Sequence, residues 1–143
     1  MQAQILDLIS DLVDERRMAL ILISHDLGVV SQNVDQMLVM YGGSVVESGP
    51  TEAIFGHLGH PYTRALLAAR PQMGAAQNRL QTIAGSVPAL ADLPAGCPFA
   101  GRCAHTIALC WQQRPAPTSV DANHWTRCLR PEVVQAPFCA VPP

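Results

Sequence analysis

The chain has 143 residues, enough for one ordinary domain with its core and a tight fit for two. A hydrophobic content of 49% against 14% charged excludes a disordered chain, and no wholly apolar run approaches the roughly 20 residues that cross a bilayer. The net charge is -2 and all nine basic residues are arginines scattered along the chain, which excludes the dense basic stripe of a nucleic-acid binder.

Met1 leads into Gln2-Ala3-Gln4 with no basic segment ahead of an apolar one, so export is not expected. Residues 2–16 place Ile5, Leu8, Ile9, Leu12 and Val13 at helical spacing, with Asp7, Asp11, Asp14 and Glu15 on the other side. This pattern predicts an amphipathic helix. Six apolar residues, Met18-Ala19-Leu20-Ile21-Leu22-Ile23, then run without interruption into Ser24-His25-Asp26. A run with no wet face suits a parallel strand covered on both sides, and the expectation is a buried strand delivering His25 to its carboxyl edge. Such a strand needs neighbours on both sides, so the chain reads as if cut within a repeating α/β unit.

Asp26 is placed to cap a short helix carrying Leu27, Val29, Val30 and Val34. The period then changes. Residues 37–41 and 44–48 flank Gly42-Gly43 and predict a β-hairpin, ended by Gly49-Pro50, after which Thr51 is placed to cap a short helix through Phe55. His60-Pro61-Tyr62-Thr63 leads into a second short helix over 64–70 that Pro71 stops. Residues 71–96, low in charge and rich in Ala, Gly and Pro, read as a surface-wrapping linker with one apolar piece around Ile83 and Val87. Beyond Cys97 the prolines and cysteines leave little room for regular structure except a helical turn over 105–111, and ordering this tail requires a staple.

The staple is suggested by Cys97-x5-Cys103-x6-Cys110-x17-Cys128, with Cys139 near the end. Four thiolates suit a structural zinc or an iron–sulfur cluster, while the spacing matches neither zinc-ribbon pairs nor the common ferredoxin runs. Metal site, disulfides and unliganded thiols all remain open on spacing alone. His105 and His124 are candidate substitute ligands. His57 and His60 have helical spacing, but Gly56, Gly59 and Pro61 favour a structural role for them. Tyr62, Trp111 and Trp125 read as packing residues. No Ser-His-Asp set or Gly-x-Ser-x-Gly elbow is present.

Several stretches together resemble the C-terminal part of the ATP-binding subunit of bacterial oligopeptide, dipeptide and nickel ABC transporters. Gln2-Ala3-Gln4-Ile5-Leu6-Asp7-Leu8-Ile9 is similar to the helix after that family's D-loop. Ile23-Ser24-His25-Asp26-Leu27 is similar to its switch segment, and Val39-Met40-Tyr41-Gly42-Gly43 with Val46-Glu47-Ser48-Gly49-Pro50-Thr51 to the following hairpin. The narrower signal is His60-Pro61-Tyr62-Thr63-Arg64-Ala65-Leu66-Leu67 with Gly96-Cys97-Pro98-Phe99-Ala100-Gly101-Arg102-Cys103, which resembles the extension of the peptide and nickel branch. Gly101 and Ala104 stand where proline is common, and neither change removes a thiolate.

The resemblance implies an α/β fold: an incomplete P-loop-type sheet with a β-hairpin over residues 1–71, and an irregular cysteine-rich extension over 72–143. It implies that His25 contacts the ATP γ-phosphate, and that Cys97, Cys103, Cys110 and Cys128 hold a four-iron four-sulfur (4Fe-4S) cluster, with zinc as the alternative. It also implies a second ATPase subunit and membrane-spanning permeases as partners, and a place at the cytoplasmic face of the membrane. The 143 residues contain no P-loop, no Leu-Ser-Gly-Gly-Gln signature and no Walker B acidic residues, and a chain without lysine cannot form the lysine-bearing P-loop. ATP with magnesium is therefore expected only alongside those missing motifs. The rival expectations are a stand-alone cysteine-rich metal-binding or regulatory module, and a nonfunctional remnant.

Overall fold

In the computed structural model, residues 2–69 and 83–134 are described, and they fall into two compact units, Met1–Asp35 and Gln36–Pro143. In the first unit, α1 (Gln2–Arg16) forms where the helical spacing of its apolar residues predicts it. Part of its apolar stripe is exposed, at Ile5, Leu8 and Leu12, while Ile9 and Val13 are half-buried. Asp26 caps α2 (Leu27–Asn33), accepting at Oδ1 from the backbone N–H groups of Gly28 at 2.8 Å and Val29 at 3.4 Å.

Residues 18–24 depart from expectation. They carry no ladder bonds and form no strand, and Ile21 and Ile23 are 88% and 93% exposed. A parallel strand exists only through the ladder of its neighbours, and among the described residues every strand pairing is antiparallel. The apolar run therefore has a strand's composition without a strand's partners, and residues 18–24 are not the buried strand expected of them.

The second unit is built on the predicted hairpin. Here β1 (Gln36–Tyr41) and β2 (Ser44–Pro50) pair antiparallel around Gly42 and Gly43, whose φ values of 54° and 72° suit the tight turn that matches strand twist. Residues Met37, Val39 and Tyr41 alternate inward while Gln36, Leu38 and Met40 face out. Pairing continues to Pro50, so Gly49-Pro50 closes β2 from within. Next, α3 (Thr51–Gly56) starts directly after the strand with Pro50 in the capping position, so Thr51 is the first helical residue and not the cap.

The second short helix, α4 (Pro61–Ala68), starts three residues earlier than expected, with Pro61 in its first turn. Pro71 and the rest of the linker reading through residue 82 lie outside the described residues. The part that follows is tied down by Arg102, whose guanidinium donates to the carbonyls of Ile83, Ala84 and Gly85 at 3.1, 2.8 and 3.0 Å.

The tail is more regular than its composition suggests. After α5 (Ala108–Gln112) it forms a second hairpin, β3 (Thr118–Asp121) and β4 (His124–Thr126), turning at Asn123 with φ of 59°. Its β4 strand joins β2, giving one antiparallel sheet in the order β1-β2-β4-β3. The core beneath it comprises Met37, Val39, Tyr41, Val46, Ile54, Leu58, Leu67, Phe99 and Val134. The fold is thus α/β with a small antiparallel sheet that joins strands from before and after residue 72.

At the β2–β4 contact a Cβ on Gly49 would lie 2.9 Å from His124 Cα, whereas one on Gly56 would meet nothing within 4 Å. Gly49→Ala is expected to cost about 1–3 kcal/mol by overpacking. Gly56→Ala is expected to be neutral or stabilising by about 0.5 kcal/mol. Urea unfolding of the two variants checks the contrast.

Candidate functional site

The second unit places one acidic side chain fully inside. Glu47 on β2 is 0% exposed, and its carboxyl oxygens accept from four donors. Oε1 accepts from Gly59 N–H at 2.6 Å and lies 2.8 Å from His124 Nε2, while Oε2 accepts from His60 N–H at 3.2 Å and from the Thr63 hydroxyl. A carboxylate only accepts, so this set of donors satisfies it completely. His124 Nε2 is thereby engaged by Glu47, and His124 does not line the cysteine cavity. The short approach at Gly59 requires glycine, since a Cβ there would lie 3.0 Å from Glu47 Oε1 and 2.8 Å from Val120 Cγ2.

The same contacts orient His60. Its backbone is held by Glu47, and its Nδ1 accepts from Tyr62 N–H at 3.1 Å, capping α4. Burial lowers the His60 pKa to about 4, against the opposing pull of Glu47 and of the Arg127 backbone carbonyl. The ring is 1% exposed as a residue, and its Nε2 has no hydrogen-bond partner.

His60 forms one wall of a cavity that all four predicted cysteines share. Cys97, Cys103, Cys110 and Cys128 line it together with Pro61, Phe99 and His105. Local backbone bonds bring them there. Cys97 N–H donates to the Cys110 carbonyl at 2.7 Å and Gly96 N–H to the Trp111 carbonyl at 3.2 Å, laying residues 96–97 against α5. A 3-10 turn over Ala100–Arg102 then carries the chain from Cys97 to Cys103. Cys128 follows β4, where Arg127 N–H donates to the Val46 carbonyl at 2.7 Å. All four thiols are free.

The thiols influence one another. Burial pushes the Cys97 thiol up, helped by Cys110 and Cys103 and opposed by the Phe99 and Ala100 backbone N–H groups. Burial likewise pushes Cys128 up to about 12, opposed by the Arg130 backbone N–H and reinforced by the other three thiols. Backbone donors also reach sulfur directly, from His105 N–H to Cys103 Sγ and from Arg130 N–H to Cys128 Sγ, both at 3.4 Å. Cys97 and Cys128, raised in this way, give up their protons less readily, and binding a cation would release them. In kind, four thiols with backbone donors suit a thiophilic metal or an iron–sulfur cluster. Among the described residues, no three His, Cys, Asp or Glu side chains are already gathered as a ligand group.

His25 lies in the first unit, exposed at the bend before α2. The flanking polar residues serve the backbone: Asp26 N–H donates to Ser24 Oγ at 3.0 Å while the Asp26 carboxyl caps the helix. His57 takes no part in the cysteine cavity, and Cys139 lies outside the described residues. Tyr62 packs edge-on against Tyr41, ring centroids 4.8 Å apart, as a packing residue should. Sequence reading gave Glu47 no role and took His60 as structural without seeing its cap. For His60 the signal was available, because a polar residue directly before a proline that opens a helix marks a cap. For Glu47 the only hint was an acidic residue following Val45-Val46 within a strand.

Comparison with known proteins places these features in context. Residues 46–110 match the family described as the oligopeptide/dipeptide transporter, C-terminal region. A Brucella ovis protein, provisionally named a peptide import ATP-binding protein, is 42% identical over 141 residues, covering 94% of this chain and 42% of the relative. A similarly named Brucella suis protein is 46% identical over 127 residues, covering 89% of this chain and 38% of the relative. The chain therefore spans less than half the length of these curated relatives.

The buried network makes stability depend on pH. His60 titrates near 4 when folded and near 6.5 when unfolded, so between those values the unfolded chain binds more protons. Stability should be complete above pH 6.5 and fall progressively towards pH 4, with His60 contributing on the order of 3 kcal/mol of that change. Glu47→Gln, which turns an NH2 group towards donors, should cost about 3 kcal/mol. Denaturant unfolding across that pH window measures both.

Proposed function

With residues 46–110 belonging to the oligopeptide/dipeptide transporter C-terminal region family, we propose that the chain acts within the ATP-binding subunit of a peptide ABC importer. The observation that carries this reading is the 42% identity to the Brucella ovis relative along 94% of the chain. On this reading residues 1–71 belong to the ATPase part and 72–143 to the extension. ATP-driven transport then requires a second ATPase subunit and the permeases, at the cytoplasmic face of the membrane. Among the described residues no helix is long and apolar enough to cross a membrane. Cargo is selected mainly by a binding protein and the permeases, so nickel is a second candidate beside peptides.

His25 is the proposed switch histidine. Phosphoryl transfer depends on positioning the attacking water and stabilising charge on the γ-phosphate, and an exposed imidazole on a capped turn can meet a nucleotide there. The phosphate cradle and the magnesium ligands must come from outside these 143 residues, which contain no lysine. Cys97, Cys103, Cys110 and Cys128 are the residues that would hold a 4Fe-4S cluster, with zinc as the alternative. Such a group would staple residues 97–110 to Cys128, just after β4, within the extension.

The purified 143-residue chain is expected to show no steady ATP hydrolysis, and turnover free of contaminating ATPase would overturn the requirement for phosphate and magnesium ligands from outside it. Joined to a P-loop-bearing N-terminal part, hydrolysis should appear and His25→Ala should lower it by at least about 100-fold. Anaerobic purification followed by iron, sulfide and zinc analysis decides the metal. A colourless protein with stoichiometric zinc would replace the cluster.

A further inference from the structure

We propose that His60 is a positioning residue for the cysteine site, its Nε2–H donating a hydrogen bond to the sulfur atoms, or to the group they hold, in the shared cavity. This rests on the reading of the four cysteines as a metal or cluster site and adds to it a residue outside the thiol set.

The tautomer carries the argument. Nδ1 accepts the Tyr62 N–H, so the lone pair on that nitrogen is used and the proton of the neutral ring sits on Nε2. A protonated Nε2 cannot ligate a metal. It can only donate, and it has no hydrogen-bond partner although His60 is almost wholly buried. Buried N–H groups without partners are uncommon in folded proteins and call for an explanation. The nearby Arg127 carbonyl favours a charged ring without completing a hydrogen bond to it.

The surroundings narrow the acceptor. His60 lines the cavity with the four thiols; Pro61, Phe99 and Val133 offer no side-chain acceptor and the Thr106 hydroxyl is engaged with the Ala100 and Cys103 carbonyls, which leaves the sulfur atoms and the His105 ring. Cys103 and Cys128 already receive backbone N–H donors, so sulfur in this cavity is treated as an acceptor. Residues that hydrogen-bond to metal-bound sulfur tune affinity and redox potential without touching the metal. The ring is also held rigidly, since Glu47 fixes its backbone and α4 fixes its Nδ1.

The test uses the full 143-residue chain under anaerobic conditions, with Co2+ as the probe and iron plus sulfide as a second arm. His60→Asn is the informative variant, because asparagine can cap α4 as histidine does but carries no group in the place of Nε2. The expected result is roughly 10- to 100-fold weaker Co2+ binding in His60→Asn, with the sulfur-to-cobalt charge-transfer band moved to longer wavelength. The cluster in the second arm should show a more negative midpoint potential.

Should His60→Asn fail to fold, nitrogen NMR of the unmodified chain loaded with Zn2+ answers the same question. His60 should show a protonated Nε2 whose proton signal moves downfield on loading. Equal affinity and an unmoved band in His60→Asn, or an unprotonated Nε2 in the Zn2+-loaded chain, would overturn the role of His60 and leave the four-cysteine reading standing. A wild-type chain that takes up neither Co2+ nor iron and sulfide through its thiols would overturn both.

Discussion

A single carboxyl group holds the second unit together. Glu47 sits on the strand that both hairpins share, and its two oxygens collect donors from the loop before α4, from α4 itself and from β4. Burying a carboxylate is costly unless each acceptor position finds a donor, and here each does. The requirement propagates outward. Residue 59 must be glycine to approach, the chain must turn into α4 at His60, and β4 must bring His124 back to β2 in the register that pairs Glu47 with Thr126. The wall of the cysteine cavity is therefore set by a residue that does not line it.

The elements legible in the sequence are those decided by neighbours. The spacing of Ile5, Leu8 and Leu12 suffices for α1, Asp26 suffices to start α2, and Gly42-Gly43 suffices for the hairpin, because in each case the controlling contact lies within a turn or two. Residues 18–24 show the opposite case. Their apolar run describes what a central strand would be made of, but strandedness is a property of the ladder, and no ladder partner stands beside them among the described residues. The tail hairpin was hidden for a related reason: its turn at Asn123 is visible only when an asparagine is read as a left-handed turn residue amid a proline-rich background.

The cysteine site was legible as a list and not as a place. Spacing named the four residues, yet their convergence depends on α5 lying against residues 96–97 and on β4, paired to β2, delivering Cys128. No local rule predicts either. His60 was set aside as structural because its neighbours Gly59 and Pro61 break a helix. It is structural, and the cap that makes it so also leaves its other nitrogen protonated at the cavity.

The sheet order has a consequence for how the protein is made. In the order β1-β2-β4-β3, β2 is an inner strand, but its second neighbour lies far downstream, with 77 residues separating Glu47 from His124. At ordinary synthesis rates that distance takes roughly 4–15 s to translate. Throughout that interval β2 presents an open edge bearing a carboxyl group with only part of its donor set. An exposed edge carrying an inward-pointing charge is a poor template for pairing with another chain. The residue that later closes the fold thus guards the nascent strand while its partner is still unmade.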